Sequence, residues 1–455
     1  MSVDVRDGTA MMAEFVARGP IGPEARARAA AAVADTIGVA LAGSREPSAR
    51  MAQAMASEEG AGHGLCRVLG TPTSTSPQMA AFANGVAAHA LDYDDMCFVS
   101  LAHPSCALVP AALAAGELTE APATRLLDAY VVGFEIECRL GLAMNPRHYH
   151  QRGWHCTASI GTVGAAAAVA RVLGLDDAAT RHALGIAASS ACGLKENLGS
   201  MVKPLHAGLA ARNGVMAAQL AQRGFTASPH AIDGPQGYLA AMDSEQPTLD
   251  PFVPDLGTRW EILETGITVK LYPSCAATHP PLDALLELQR RERFTAGDVE
   301  AIEIEVDSMT PRLLIHPSPA TGLEGKFSMP FCAAAALVYG PPTLDTFDLA
   351  CIRNPAVQAL MPRVTLRANA TFDAHAPLSQ ARVTVRLRDG RALVQRADGA
   401  RGYPGRLTDH ELASKFAACA AATLTAARAA DAWSALRNID GMANVRELTA
   451  RVVPS

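Results

Sequence analysis

The chain is short of lysine, of aromatic residues and of long apolar runs, and each shortage narrows what it can be. Aromatic residues make up 5% of its 455 residues, and no unbroken apolar run reaches the roughly twenty residues that a membrane-spanning helix needs. Residues Met1 to Thr9 are polar and carry Asp4, Arg6 and Asp7, with no basic-then-apolar targeting pattern. A cytoplasmic protein with no membrane partner is the expectation. The formal net charge of −6, without any local block of Lys or Arg, argues against a nucleic-acid partner and leaves small molecules. Ten cysteines stand singly from Cys66 to Cys419, with no CxxC pair and no metal-ligand spacing, and read as buried, reduced thiols. Only five of the 39 basic Lys and Arg residues are lysines: Lys195, Lys203, Lys270, Lys326 and Lys415.

What is plentiful is small and apolar. Apolar residues reach 49%, much of it alanine, which favours closely packed helices. Residues 23–42 open with Pro and Glu and stop at Gly43, as a helix does. Similar patterns cover 76–90, 105–118, 121–143, 156–174, 177–192 and 206–223, separated by Gly, Pro or Asp. After about residue 265 the period changes: AIEIEVDS (301–308), RVTLRANATF (363–372) and ARVTVRLRDG (381–390) alternate in the manner of half-covered strands. PPLDALLELQRRE (280–292) and SMPFCAAAALVYG (328–340) read as helices between them, and from Thr408 the helical pattern returns. The expectation is a mainly α protein. A large helical domain is built from residues 1–267 and 405–455, and an α+β unit, 268–404, is inserted between them.

The stretch Leu91–Pro104 (LDYDDMCFVSLAHP) breaks the helical pattern with three aspartates and a histidine. Asp92, Asp94 and Asp95 repel one another unless a cation, a basic side chain or water compensates them, so the loop reads as the floor of an active site in which His103 moves a proton. His155 falls at a helix N-terminus, where the dipole keeps an imidazole neutral. Lys203, read as lying just before a helix, and Lys270 are placed to hold a carboxylate as point charges. His206 and His279 complete the candidates. Binding of Mg²⁺ and a diphosphate by the DYDD run lacks a second Asp-rich motif and basic partners. A nucleophile at Cys156 or Ser105 lacks an orienting third group.

The blocks NGVAAHALDYDD, AHPSCALVPAALAAGE, RGWHCTASIGTVGAAAAVARVLGLD, VKPLHAGLAARNGVMAAQLAQRGF, VKLYPSCAATHPPLDA and GKFSMPFCAAAAL, in this order, resemble the MmgE/PrpD family, which includes 2-methylcitrate dehydratases, cis-aconitate decarboxylases and an iminodisuccinate epimerase. The resemblance implies a helical domain made of both chain ends, a smaller α+β lid, a homodimer, and catalysis with neither metal nor organic cofactor. By motif Asp92 matches the family's pocket aspartate, His103 its proton-transferring histidine, His155 its second pocket histidine, and Lys203 and Lys270 its carboxylate-binding lysines. Asp92, His103 and His155 are the expected catalytic residues, and Met96, His279 and Phe331 join the two lysines as expected substrate contacts. Met96 stands where the decarboxylase pattern has threonine and Phe331 where it has tyrosine. The first expectation is therefore a hydro-lyase acting on a citrate-like tricarboxylate such as 2-methylcitrate. A dicarboxylate epimerase or isomerase, a cis-aconitate decarboxylase-like lyase, and a non-catalytic carboxylate-binding homologue stand as alternatives.

Overall fold

Small side chains decide how the helices meet. A computed structural model describes residues 7–59, 64–375 and 379–454; residues 1–6 of the polar N-terminus lie outside the described residues. The chain divides into two compact units, one comprising Met1–Ala90, Asp94–Ile267 and Thr408–Ser455, the other Leu91–Tyr93 and Thr268–Leu407. The protein is mainly helical with a small sheet.

In the first unit the helix Pro77–His89 crosses the helix Val202–Gln222 at touching backbones. A Cβ added at Gly85 would lie 2.9 Å from the Gly208 Cα, and one at Gly208 would lie 2.6 Å from the Phe82 carbonyl oxygen. Only glycine allows that approach. It brings the C-terminal end of the first helix, with His89, beside the first turns of the second, with Lys203 and His206. Val202–Gln222 starts four residues before the sequence pattern suggests. Pro204 reads as a breaker, yet it sits in the first turn, where a missing N–H costs nothing. Lys203 is thus inside the helix, not ahead of it. The helix Cys156–Leu173 is long and apolar enough to cross a membrane, but 89% of that window is buried inside the protein. Its neighbours are the helices Ala123–Met144, Ser105–Thr119 and Val202–Gln222.

Both ends of the chain contribute to this unit. The helix Asp409–Ala420 starts at a Thr408–Glu411 capping box and lays Phe416 against Gly38 of the helix Pro23–Gly43. Beside it Lys415 makes a buried ion pair of 2.8 Å with Asp35. The cysteines are free thiols; Cys192 is exposed, Cys275 and Cys351 partly so, and the rest are buried.

The second unit holds a four-stranded sheet in the order Val364–Ala368, Val299–Val306, Ala381–Leu387, Ala392–Ala397. The first pair is parallel, with Ile302 opposite Val364; the others are antiparallel, with Ile304 opposite Val383. Ile302, Ile304, Val306, Val383 and Val385 point into a core completed by the helices His279–Glu292 and Met329–Tyr339. Residues 369–372, expected to continue a strand, leave the sheet at Asn369 and turn through a short 3₁₀ segment.

Candidate active site

The loop after Pro77–His89 is pinned at both ends. Cys97 donates its N–H to the Ala102 carbonyl at 3.0 Å and forms an antiparallel bridge with it. Ser100 packs on Gly141 of the helix Ala123–Met144, so closely that a Cβ there would lie 2.5 Å from the Ser100 Cα. The Asn145 amide holds the Ser100 carbonyl at 2.9 Å, and Thr157 Oγ1 accepts the His103 N–H at 3.0 Å.

His103 is fixed through its ring. Nδ1 lies 2.7 Å from the main-chain carbonyl of Asp95 and 3.6 Å from Asp94 Oδ2. A carbonyl only accepts, so Nδ1 carries a proton and, in the neutral ring, Nε2 is the basic nitrogen. Beside it, His89 donates from Nδ1 to Asp94 Oδ2 at 2.7 Å, with both side chains buried. The rings continue inward: His103 to His89 at 4.7 Å between centroids, His89 to His155 at 5.8 Å, and His155 to His206 at 5.2 Å. His155 and His206 approach Nδ1 to Nδ1 at 3.0 Å, so one of the two donates to the other. The His103 side chain keeps 12% of its surface, while the other three rings are buried.

Four elements thus bring four histidines into one run, with the buried Lys203 ammonium acting on its inner members. Burial first, then Lys203 and the neighbouring histidines, pushes His155 well below the ordinary histidine range. His206 is pushed down to about 4 by burial, then by His89 and Lys203. Both rings are neutral at pH 7. His155 does occupy the N-cap of Cys156–Leu173, but burial, not the helix dipole, is the leading cause of its neutrality. The arrangement offers a fixed cation, neutral hydrogen-bonding rings, and one accessible imidazole able to exchange a proton.

The three aspartates meet three different fates. Asp94 is matched by His89, as above. Asp95 is buried and pushed up to about 8, chiefly by burial, against an opposing hydrogen bond from Ser105. Asp92 belongs to the second unit, where Lys270 Nζ reaches its Oδ1 at 2.6 Å and its main-chain carbonyl at 3.0 Å. Asp92 adopts φ +51°, a left-handed conformation that Asp tolerates better than most residues. Lys326 donates to the Leu91 carbonyl, and Tyr93 Oη donates to the Leu271 carbonyl at 3.2 Å. Two ammonium groups therefore tie residues 91–93 to the second unit.

Several of the expected substrate contacts have partners within the protein. Lys270, expected to hold a substrate carboxylate, has an internal carboxylate partner in Asp92. Phe331, expected among substrate contacts, is fully buried in the core of the second unit against Phe347, 5.7 Å between ring centroids. His279 is the buried first residue of its helix, with its ring 5.0 Å from Tyr272 and Nε2 3.4 Å from the Ser274 carbonyl. Met96 is half-buried in the first unit. Of the eight expected site residues, the structure brings His103, His155 and Lys203 together in one unit and Asp92 with Lys270 in the other.

His89 and Asp94 complete the run, and the sequence reading gave them no specific role. The available signal is a histidine ending an Ala-rich helix five residues before an aspartate, a spacing that lets a turn close the pair. As for metal ligands, His89, Asp94 and Cys106 offer atoms within 4.8 Å of one another. Burial, together with Asp94, holds the Cys106 thiol well above its usual range and so disfavours the thiolate a metal would need.

Comparison with known proteins bears on this geometry. Residues 10–249 match the MmgE/PrpD N-terminal domain and residues 272–440 the MmgE/PrpD C-terminal domain. A cis-aconitate decarboxylase-like protein of Aspergillus oryzae is 30% identical over 440 residues, covering 92% of this chain and 91% of the relative. Cis-aconitate decarboxylase of Aspergillus terreus is 28% identical over 445 residues, covering 92% and 90%. The human cis-aconitate decarboxylase is 28% identical over 383 residues, covering 82% and 79%.

Proposed function

Because the chain belongs to the MmgE/PrpD family, we propose that it is a lyase acting on a small polycarboxylate, with decarboxylation of a cis-aconitate-like substrate as the reaction and no cofactor required. The observation that carries the reading is the setting of His103. Its Nδ1–H is fixed on the Asp95 carbonyl, and it is the accessible ring of a buried run beside Lys203.

In this reading Lys203 neutralises one substrate carboxylate, and the neutral His155 and His206 give hydrogen bonds without adding charge to compete for it. The bond from carbon to the leaving carboxylate breaks, CO₂ departs, and the electron pair stays on the carbon skeleton, delocalised towards a remaining carboxylate. His103 in its protonated form delivers the Nε2 proton to carbon, so one proton is consumed per CO₂ released. A positioned general acid of this kind contributes about 10²–10⁴-fold. His89 and Asp94 orient the ring from behind. Within the second unit Lys270 fixes the Asp92 carboxylate. The 27–30% identity to cis-aconitate decarboxylases supports this choice of reaction.

Dehydration of a citrate-like tricarboxylate is the second reading, favoured by one observation. Met96 stands where the decarboxylase pattern has a threonine hydroxyl, and a site built to hydrogen-bond its substrate does not drop a donor without cost. NMR of the purified protein with cis-aconitate, 2-methylcitrate and iminodisuccinate in D₂O separates the readings. Loss of CO₂ with one deuterium gained supports the first, loss of water the second, and deuterium exchange without either an epimerase. No change with any of the three would place the substrate outside this panel, and tight carboxylate binding without turnover across a broad panel would favour a carboxylate-binding protein.

A further inference from the structure

Directly behind the histidine run lie three buried polar groups for which the proposed reaction has no use. Ser105 is the first residue of the helix Ser105–Thr119, and its hydroxyl donates to Asp95 Oδ2 while its N–H reaches Asp95 Oδ1 at 3.3 Å. Tyr130, on the helix Ala123–Met144, places its hydroxyl 2.6 Å from Ser105 Oγ. With Asp95 ionised, the Ser105 proton goes to Asp95 and Tyr130 donates to Ser105 in turn. All three side chains are buried. Burying a hydroxyl or a carboxyl is costly even when it is hydrogen-bonded, and Phe, Ala and an apolar residue would fill the same space more cheaply. Something must set the identity of these groups.

What they share is Asp95. Its side chain is held by Ser105, and its main-chain carbonyl, on the same residue, receives the His103 Nδ1–H at 2.7 Å. We infer that Tyr130 and Ser105 are positioning residues, which clamp the Asp95 carboxyl so that the Asp95 carbonyl holds His103 with Nε2 as its exchanging nitrogen. The clamp runs from a rigid helix, through the first residue of a second helix, to the loop, and so gives the imidazole a fixed frame that the loop alone would not supply. Burial pushes Asp95 up to about 8, which favours a neutral carboxyl near pH 7; in that form the chain runs the other way, Asp95 donating to Ser105 Oγ and Ser105 to Tyr130, with the same three groups in line. A neutral Asp95 matters because Asp94 already places one buried carboxylate beside the ring, and Asp35, paired with Lys415, adds another from the helix behind. The same geometry removes Ser105 as a nucleophile: its oxygen is enclosed between Asp95 and Tyr130.

The inference rests on His103 being the proton-transferring group, and its test separates the two. Tyr130→Phe and Ser105→Ala each remove one hydroxyl, and Ser105→Thr restores it. In histidine labelled with ¹⁵N, wild-type His103 should show a single tautomer protonated at Nδ1. Tyr130→Phe and Ser105→Ala should show a tautomer mixture, with Ser105→Thr returning to the wild-type spectrum. On the substrate that turns over, kcat should fall about tenfold in the first two variants, the equivalent of roughly 1.4 kcal/mol, with KM within about twofold. A lost hydroxyl that mattered only for folding would lower the melting temperature and leave the His103 spectrum and kcat unchanged, and that result overturns the inference. If His103→Ala keeps its activity, the proposed reaction fails instead, while the spectra still decide whether the clamp exists.

Discussion

Lys270 offers the sharpest energetic test of the second unit. Its ammonium and the Asp92 carboxylate are both buried, 2.6 Å apart. Replacing Lys270 by Met keeps the volume of the stem but leaves the Asp92 charge in a low-dielectric site without its cation. Breaking a buried pair from one side costs about 3–5 kcal/mol, whereas neutralising both partners is often close to neutral. Asn tolerates the left-handed backbone at Asp92 as Asp does. Lys270→Met should therefore lower the local stability of residues 268–407 by about 3–5 kcal/mol, and the double variant Lys270→Met with Asp92→Asn should recover at least half of that. A chain with two compact units need not unfold in one step, so the quantity to measure is the hydrogen-exchange free energy of amides in that segment. A loss below about 1 kcal/mol for the single variant, the level of an exposed pair, would refute the reasoning. So would a double variant no more stable than the single one, because the cost would then come from packing and not from an orphaned charge.

Three further outcomes follow from the same structure. His148 is buried against Ser159 and the Met242 carbonyl, and burial pushes it down to about 4 from 6.5. The unfolded chain binds this proton from pH 6.5 downward and the native one only near 4, so stability should fall across that window, by at most roughly 3 kcal/mol for this group. Thermal melts should show the slope, and His148→Gln should flatten it. Gly85→Ala should force apart the two helices that carry His89 and Lys203, costing about 1–3 kcal/mol, and should lower kcat more than its melting temperature alone would suggest; unchanged kinetics would mean the crossing does not set the site. The chain is expected to be a homodimer, and the exposed Leu194 (54%) and Met201 (44%) offer apolar surface for it. A stable monomer in sedimentation at micromolar concentration would reject that.

The helices were legible because alanine-rich runs end at Gly, Pro or Asp, and those signals act locally. A local signal can have two meanings: a proline can stop a helix or, like Pro204, sit in its first turn, where the helix Val202–Gln222 accepts it. The strand Ala392–Ala397 went unread because its exposure alternates only between partial and full, so no buried face marks it. His103 and His155 were found from motif and helix position. His89 was passed over because a histidine in the last turn of a helix looks like an ordinary favourable charge at a C-terminus. Lys326 is 6% exposed and holds the Leu91 carbonyl. No spacing reveals that, because its partner is 235 residues away in sequence. The same limit hid Tyr130, whose hydroxyl finds Ser105 only once two helices are packed.

The central claim is that His103 moves the proton. Its most direct test is a comparison of wild type and His103→Ala, each confirmed folded by circular dichroism, with cis-aconitate in D₂O followed by NMR. The account predicts that wild type releases CO₂ and places one deuterium in the product, and that His103→Ala slows this by at least about 100-fold. Turnover by His103→Ala within about threefold of wild type, with the same deuterium content, would contradict it.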